Sequence, residues 1–446
     1  MGKKILLLGA GLVTRPLVDY LLKHGFELTI ASRTLSKAEH LLESAGGPDN
    51  GVAVEFDIEK HPGRLGALVG AHDLAISLLP YTHHVTVARE CIARGKHLVT
   101  TSYVSPAMKE LDEEARAAGV LLLNEIGLDP GIDHMSAMRI IDDVHAKGGK
   151  VNGFVSSCGG LPAPDANDNP FGYKFSWSPR GVLLAGRNGA RYLKDGNVVE
   201  VAPLTLFEHD GVVDVPDFAT FESYPNRDSI PYVDIYGIPE TKTMLRNTLR
   251  NSGWCELLRS ITGIGLLGTG EMEIKEGQSK KEVLASIIGA NPESCVRCAV
   301  SETLGLDNDG EIMEKLAWAG LFDKNPAKPG RTTPLDFLCS LLQDRMAYRK
   351  GERDMIVLHH DFDVEGSDGK TGRVTSTLID YGIPNGDSAM SRTVSLPAAI
   401  ATRLILEGKI GETGVQIPTN PEIYNPVLDE LAEIGIKCRD KVWPAG

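Results

Sequence analysis

Residues 5–8 form an uninterrupted apolar run of strand length that ends at glycine, as a strand buried on both faces does. After Gly9-Ala10-Gly11-Leu12-Val13-Thr14 comes a stretch with Leu17, Val18, Leu21 and Leu22 at helical spacing, ended by Gly25. Residues 28–32 give a second apolar run, which completes a β-α-β unit. The alternation continues, with strands predicted at 52–56, 73–79, 97–101 and 120–124, and helices at 83–94, 106–118 and 133–146. Strands separated by helical segments in this number predict an α/β fold that opens with a doubly wound parallel sheet of the Rossmann kind. In such sheets ligands bind beyond the carboxyl ends of the strands. The loops at Leu78-Leu79-Pro80, Thr101-Ser102-Tyr103 and Gly127 to Gly131 are therefore where chemistry is expected.

Gly148-Gly149 breaks the pattern, and residues 151–157 then read as a strand running into Cys158-Gly159-Gly160. Residues 161–180 are a loop rich in Pro, Asn and Asp, and long loops in compact domains tend to be functional. Short β-like runs follow to about residue 235, and the pattern is helical from Pro239 to about Tyr348. Residues 355–363 and 373–381 form a hairpin pair, 391–407 a helix, and the tail is punctuated by proline. The predicted organisation is a Rossmann domain at 1–128, with 391–446 folding back to it. A substrate-binding and dimerisation α+β domain with a mixed sheet is predicted at 129–238 and 352–390, with an all-helical insertion at 239–351.

Composition narrows the class only a little. At 446 residues the chain exceeds one simple core, and 42 % hydrophobic with 24 % charged residues is ordinary for a globular protein. A formal net charge of −14 argues against a nucleic-acid binder. No apolar run approaches the length that spans a bilayer, and glycine interrupts the N-terminal apolar stretch early, so a cytoplasmic location is expected. The odd count of seven scattered cysteines fits a reduced compartment. Cys295 and Cys298 read as two helical cysteines, since no second pair or His cluster completes a zinc site, and no metal is expected.

The glycine turn carries the first chemical reading. Gly9 permits the tight turn and Gly11 the close approach of a pyrophosphate seated on the helix N-terminus; Thr14 stands where a third glycine is usual. The second strand ends Ser32-Arg33-Thr34, without the acid that binds a ribose 2′-hydroxyl. A guanidinium and two hydroxyls suit a 2′-phosphate, so the expected cofactor is NADP (NADPH), unless Arg33 is merely a solvated surface charge. Asp57-Ile58 lies where adenine can be contacted.

Several longer motifs resemble the saccharopine dehydrogenase family, and its fungal glutamate-forming members most of all. They are Asn124-Glu125-Ile126-Gly127-Leu128-Asp129-Pro130-Gly131-Ile132-Asp133-His134, Cys158-Gly159-Gly160-Leu161-Pro162-Ala163-Pro164 and Gly172-Tyr173-Lys174-Phe175-Ser176-Trp177-Ser178. Tyr224-Pro225-Asn226-Arg227-Asp228-Ser229 and Thr375 to Gly382 are similar again. The resemblance implies NADPH-dependent reduction of the imine between L-2-aminoadipate 6-semialdehyde and L-glutamate to L-saccharopine, in the α-aminoadipate route to lysine. It also implies a homodimer and a three-domain layout. The implied cofactor contacts are Gly9, Gly11, Leu12, Val13, Thr14, Ser32, Arg33, Thr34, Asp57, Ile58, Leu78, Leu79, Thr101, Ser102, Leu128, Asp129, Pro130, Gly131 and Ser178.

Saccharopine carries three carboxylates, for which arginine is suited by its bidentate geometry. Arg227 and Thr248-Leu249-Arg250 are the positions the resemblance supports, with Ser102, Tyr103 and Asp129 also facing substrate. Arg246 and Arg250, one turn apart on a predicted helix, can equally be solvated. Asp129, Cys158 and Tyr103 are titratable groups at strand ends and so candidates for acid–base or orienting work. Asp129 has a plain alternative in capping the helix that starts near Pro130, and Cys158 in being a buried strand residue. A lysine-forming saccharopine dehydrogenase, which commonly uses NAD, is the rival enzyme, and a non-catalytic NADP-sensing regulator the rival from another class. Ser32-Arg33-Thr34 argues against the first, and Arg227, Arg250 and the Cys158 loop against the second.

Overall fold

The computed structural model describes residues 2–46 and 50–443. Contacts divide the chain into two units: Met1–Val151, Ile235–Ile238 and Val364–Gly446 form one, and Asn152–Asp234 with Pro239–Asp363 the other. The helical stretch from Pro239 onward lies inside the second unit, and the C-terminal segment lies in the first.

The first unit is built on a wholly parallel sheet. Its strands are β1 (Lys4–Leu8), β2 (Glu27–Ser32), β3 (Gly51–Glu55), β4 (Leu74–Ser77), β5 (His97–Thr100) and β6 (Leu121–Leu123), as the alternation predicts. Gly414–Gln416 adds a seventh strand, parallel to β6, that the sequence pattern does not announce. The spatial order is Gly414–Gln416, β6, β5, β4, β1, β2, β3, so the order reverses between β1 and β4. Ligands of such sheets sit over this switch point. Ile5, Leu6, Leu7 and Leu8 are fully buried, which each favours by roughly 1.5–3 kcal/mol over exposure. The helix Arg15–Lys23 buries Leu17, Val18 and Leu21 and packs against the long helix Ala389–Leu406. Arg403 of that helix donates to the Tyr20 hydroxyl at 2.7 Å, and Glu430 accepts from both. These contacts tie the returning C-terminal segment to the first helix.

The second unit contains a mixed sheet. The strand Lys150–Pro162 runs parallel to Thr243–Arg250, which is antiparallel to Ala219–Pro225, which in turn pairs antiparallel with Gly211–Val215. Thr243–Arg250 is thus a strand and not part of a helix. Its methionine, leucines and arginines favour a helix intrinsically, but the slot between two strands decides the outcome. The five helices Trp254–Gly263, Lys280–Ile288, Val296–Leu304, Glu311–Trp318 and Pro334–Arg345 follow, but Met272–Ile274 pairs antiparallel with Gly330–Thr332 among them, so the stretch 239–351 is not the all-helical insertion that the sequence predicts. Ser279 and Glu282 form a complete capping box on the second of them. Cys295 and Cys298 correct a second expectation: they are joined by a disulfide, with only Cys298 inside a helix and Cys295 at its N-cap. Among the described residues no helix is long and apolar enough to cross a membrane.

Candidate active site

The turn after β1 is set by steric need. Gly9 has φ +111°, and a Cβ there would sit 2.9 Å from the Leu78 carbonyl oxygen. A Cβ on Gly11 would meet nothing within 4 Å, leaving open space over the turn for a diphosphate. Thr14 is buried, and its hydroxyl accepts from the Gly11 amide at 3.0 Å, so the residue replacing the third glycine closes the turn itself. Leu12 is exposed and Val13 half-buried beside it.

At the end of β2, Ser32 is buried and accepts from the Thr34 amide at 3.2 Å, whereas Arg33 and Thr34 face solvent. An open pocket of about 580 Å³ lies here, lined by Arg33, Asp57, Lys60, His61 and Arg64 among others. Sequence reading singled out only Arg33 and Asp57 from this group. The Asp57 carboxyl lies below its ordinary value: partial desolvation pushes it up, but the Glu59 and Lys60 amides and the Lys60 and Arg33 charges outweigh it. Ile58 is buried next to it. These groups fit the adenosine and 2′-phosphate of NADP: β2 ends without an acid, and Arg33, Lys60 and Arg64 outnumber the two carboxylates of the lining, Glu55 at the end of β3 and Asp57.

Leu78 and Leu79 follow β4 at the switch point, and Thr101 and Ser102 follow β5. Behind them stands His84, a residue that sequence reading did not pick out. Its Nδ1 is 2.9 Å from Ser77 Oγ, and its Nε2 is 2.9 Å from Ser102 Oγ and 3.1 Å from Thr100 Oγ1. Burial, and secondarily the charge of His83, lowers its pKa to about 4. An unfolded histidine titrates near ~6.5, so between that value and about 4 the unfolded chain binds a proton that the folded chain refuses. Stability is therefore complete above the upper value and falls as the pH drops through this window, by up to roughly 3 kcal/mol. The urea midpoint is expected to fall between pH 7 and pH 4.5, and to fall measurably less in His84→Gln; equal falls would remove His84 from the account.

Tyr103 and Asp129 are brought together: the Tyr103 hydroxyl donates to Asp129 Oδ1 at 2.8 Å. Asp129 does not cap the following helix, as the plain reading had it. That helix, Ile132–Ala146, has Gly131 at its N-cap with no side-chain cap, and it is Asp133 Oδ1 that accepts from the Gly131 amide at 2.6 Å. Leu128 and Pro130 are buried, and the Asp129–Pro130 bond is cis. Gly131 has φ +148°, and a Cβ there would lie 2.1 Å from the Gly127 carbonyl oxygen.

The remaining expected residues lie in the second unit. Cys158 is buried and stands in register with Thr248, which is in turn in register with Tyr224. Gly159 is required beside Leu249, because a Cβ would lie 2.8 Å from the Leu249 Cβ and carbonyl oxygen. Strand alternation places Thr248 and Arg250 on one face and Leu249, fully buried, on the other. Arg227 is exposed at φ +60°, just past the end of its strand. Ser178 caps the helix Pro179–Ala185 by accepting from the Gly181 amide.

Arg250 is not solvated. It is 5 % exposed, and its guanidinium lies 4.9 Å from the Tyr173 ring, 5.3 Å from that of Trp254 and 5.6 Å from that of Tyr224. Its facing partner Glu222 is occupied, accepting from the amides of Gly253 and Cys255 at 2.7 and 2.9 Å. Arg250 Nε and Trp254 Nε1 are buried without hydrogen-bond partners. Burial pushes the Tyr173 and Tyr224 hydroxyls above their ordinary values, against the Arg250 charge. Lys174, also buried, anchors the loop that carries Tyr173 through Asp168 at 2.8 Å and Glu352 at 2.7 Å. A desolvated guanidinium in an aromatic cage has the chemistry to bind a carboxylate. Among the described residues no group of three or more His, Cys, Asp or Glu can hold a metal ion.

Comparison with known proteins bears on this arrangement directly. Residues 5–123 match the family model described as the saccharopine dehydrogenase NADP binding domain, and residues 127–436 the saccharopine dehydrogenase C-terminal domain. The chain belongs to the saccharopine dehydrogenase family. It is 44 % identical to "Saccharopine dehydrogenase [NADP(+), L-glutamate-forming]" of Pyricularia oryzae, over 99 % of each chain. It is 41 % identical to the enzyme of the same name from Saccharomyces cerevisiae, again over 99 % of each. The solved apo structure of the L-Glu-forming saccharopine dehydrogenase of Saccharomyces cerevisiae matches with TM-score 0.87 at 40 % identity, covering 99 % of this chain and 100 % of that one.

Proposed function

We propose that this member of the family is an NADP-dependent saccharopine dehydrogenase of the L-glutamate-forming kind. It reduces the imine of L-2-aminoadipate 6-semialdehyde and L-glutamate to L-saccharopine, in the α-aminoadipate route to lysine, and in reverse releases glutamate and the semialdehyde. The observation that carries this reading is 44 % and 41 % identity over 99 % of the chain to enzymes of that name.

Bound NADPH supplies the hydride. The Gly9 to Thr14 turn takes the diphosphate, and Ser32, Arg33 and Thr34 take the 2′-phosphate. Leu78, Leu79, Thr101, Ser102 and Leu128 to Gly131 surround the nicotinamide, and Ser178 is carried over as a further cofactor contact. Arg250 binds a substrate carboxylate in its aromatic cage, with Thr248 on the same strand face, and Arg227 serves a second carboxylate. The Tyr103–Asp129 pair carries two protons in succession from the glutamate ammonium nitrogen to the aldehyde oxygen: the first frees the amine to add and makes the carbinolamine hydroxyl, and the second lets that hydroxyl leave as water, giving the protonated imine. Cys158, in register with Thr248, orients the strand face that carries Arg250. The protein acts as a cytoplasmic homodimer, for which sedimentation at a mass of two chains is the check.

Saccharopine with NADP is expected to yield glutamate; release of lysine and 2-oxoglutarate instead would contradict the reading. Tyr103→Phe is expected to lower kcat by about 10²-fold, the low end for a proton-transfer group, with the Kd for NADPH unchanged. An unchanged kcat would take Tyr103 out of proton transfer.

A further inference from the structure

Asn124 and Glu125 follow β6, and Glu125 adopts φ +56°, a left-handed conformation that glutamate rarely takes, while 4 % exposed. Buried strain of this kind persists only where the surroundings over-determine it, and it clusters at functional sites. The surroundings here are specific. The Glu125 amide donates to the Ser102 carbonyl at 3.1 Å, and Glu125 Oε1 accepts from the Val104 amide at 2.9 Å. The two residues that flank Tyr103 are therefore both fastened to one side chain and its backbone. Glu125 Oε2 is 2.8 Å from His134 Nε2 on the helix Ile132–Ala146, and His134 Nδ1 is 2.6 Å from the Tyr236 hydroxyl. That helix begins two residues beyond Pro130, and its first turn holds the Asp129 loop: the Ile132 and Asp133 amides donate to the carbonyls of Gly127 and Leu128.

We propose that Glu125 is a positioning residue that clamps the Tyr103 loop against the Asp129 turn, with His134 and Tyr236 as its backing. One carboxylate thus sets the 2.8 Å contact between the two groups of the proton-transfer pair. The inference rests on the reading that Tyr103 and Asp129 move protons, but the clamp itself is a geometric claim and can be tested apart from it. The charge of Glu125 is not what the clamp needs. Glutamine can accept from Val104 and donate to His134 once the imidazole shifts its proton to Nδ1 and donates to Tyr236.

Glu125→Ala is expected to lower kcat by about tenfold in the wild-type background and by less than about twofold in Tyr103→Phe, because the effect travels through Tyr103. Glu125→Gln restores kcat to within about threefold of wild type. Glu125→Asn, which tolerates the left-handed backbone but is too short to reach both Val104 and His134, repeats the alanine result if the alanine variant does not fold. Equal losses in both backgrounds would overturn the clamp. If Tyr103→Phe alone leaves kcat intact, the proton-transfer reading fails, and the clamp is decided by fluorine NMR of 3-fluorotyrosine at position 103. A single resonance in wild type and Glu125→Gln that broadens or doubles in Glu125→Asn supports the clamp, and one unchanged sharp resonance in all three rejects it.

Discussion

Arg250→Met is expected to lower kcat/KM for saccharopine by about 10³-fold, almost entirely through KM, while leaving the protein no less stable than wild type. Both halves follow from the same burial. A guanidinium that is 5 % exposed has given up its hydration, and among the described residues no carboxylate comes within ion-pair distance to compensate. The rings of Tyr173, Trp254 and Tyr224 recover part of the cost, at about 0.5–2 kcal/mol for each well-placed cation–π contact. Arg250 Nη1 also donates to the Leu249 carbonyl at 2.7 Å, and on the proposed function the remainder is recovered when a substrate carboxylate arrives; breaking such a desolvated pair costs roughly 3–5 kcal/mol. Methionine fills similar volume without a charge, so the free protein loses a burden and the complex loses its partner. A fall in Tm with KM unchanged would make Arg250 a structural cation instead. Trp254→Phe is expected to act in the same direction but more weakly, since it removes one buried N–H donor and keeps the ring.

Arg33→Asp is expected to shift the ratio of NADPH to NADH affinity by about 10³-fold toward NADH, measured as Kd by quenching of protein fluorescence. Two effects add. The substitution removes a cation from the pocket formed with Lys60, His61 and Arg64, and it places a carboxylate where a dianionic phosphate would sit. The same carboxylate can accept from a ribose 2′-hydroxyl, so NADH gains while NADPH loses. Ser32 keeps its bond to the Thr34 amide in the variant, so the strand end should hold its shape. An unchanged ratio would mean that Lys60 and Arg64 carry the phosphate without Arg33. A loss of both cofactors together would point to damage in the turn after β1.

Much of this was legible in the chain. The strands β1 to β6 announce themselves because a parallel sheet buries both faces, which leaves short apolar runs punctuated by glycine and separated by amphipathic helices. The strand Gly414–Gln416 is not legible, since three residues between Gly411 and Pro418 offer no period to read. Thr243–Arg250 reads as helical from sequence for an identifiable reason: the Arg246–Arg250 spacing of one helical turn is also the spacing of two residues on one strand face. With the strand in place, Arg246 stacks over Tyr232 at 4.7 Å, and Arg250 enters its cage. That cage is assembled from Tyr173, Tyr224 and Trp254 in three separate segments, so no local pattern could have revealed it. His84 was hidden for a similar reason, because its partners Ser77, Thr100 and Ser102 come from two different strand ends. The Cys295–Cys298 disulfide ran against an expectation drawn from compartment rather than from geometry. Of the motifs that carry the family resemblance, 124–134 holds the cis Asp129–Pro130 bond with Glu125 and Gly131 at positive φ, and 158–164 holds Gly159, which admits no Cβ.

The most direct test follows NADPH oxidation at 340 nm with two substrate pairs offered separately to the purified protein. With L-2-aminoadipate 6-semialdehyde and L-glutamate, rapid oxidation and accumulation of L-saccharopine are expected, while L-lysine with 2-oxoglutarate should give no turnover above background. Turnover with the lysine pair alone would contradict the assignment and make this chain a lysine-forming enzyme on the same fold.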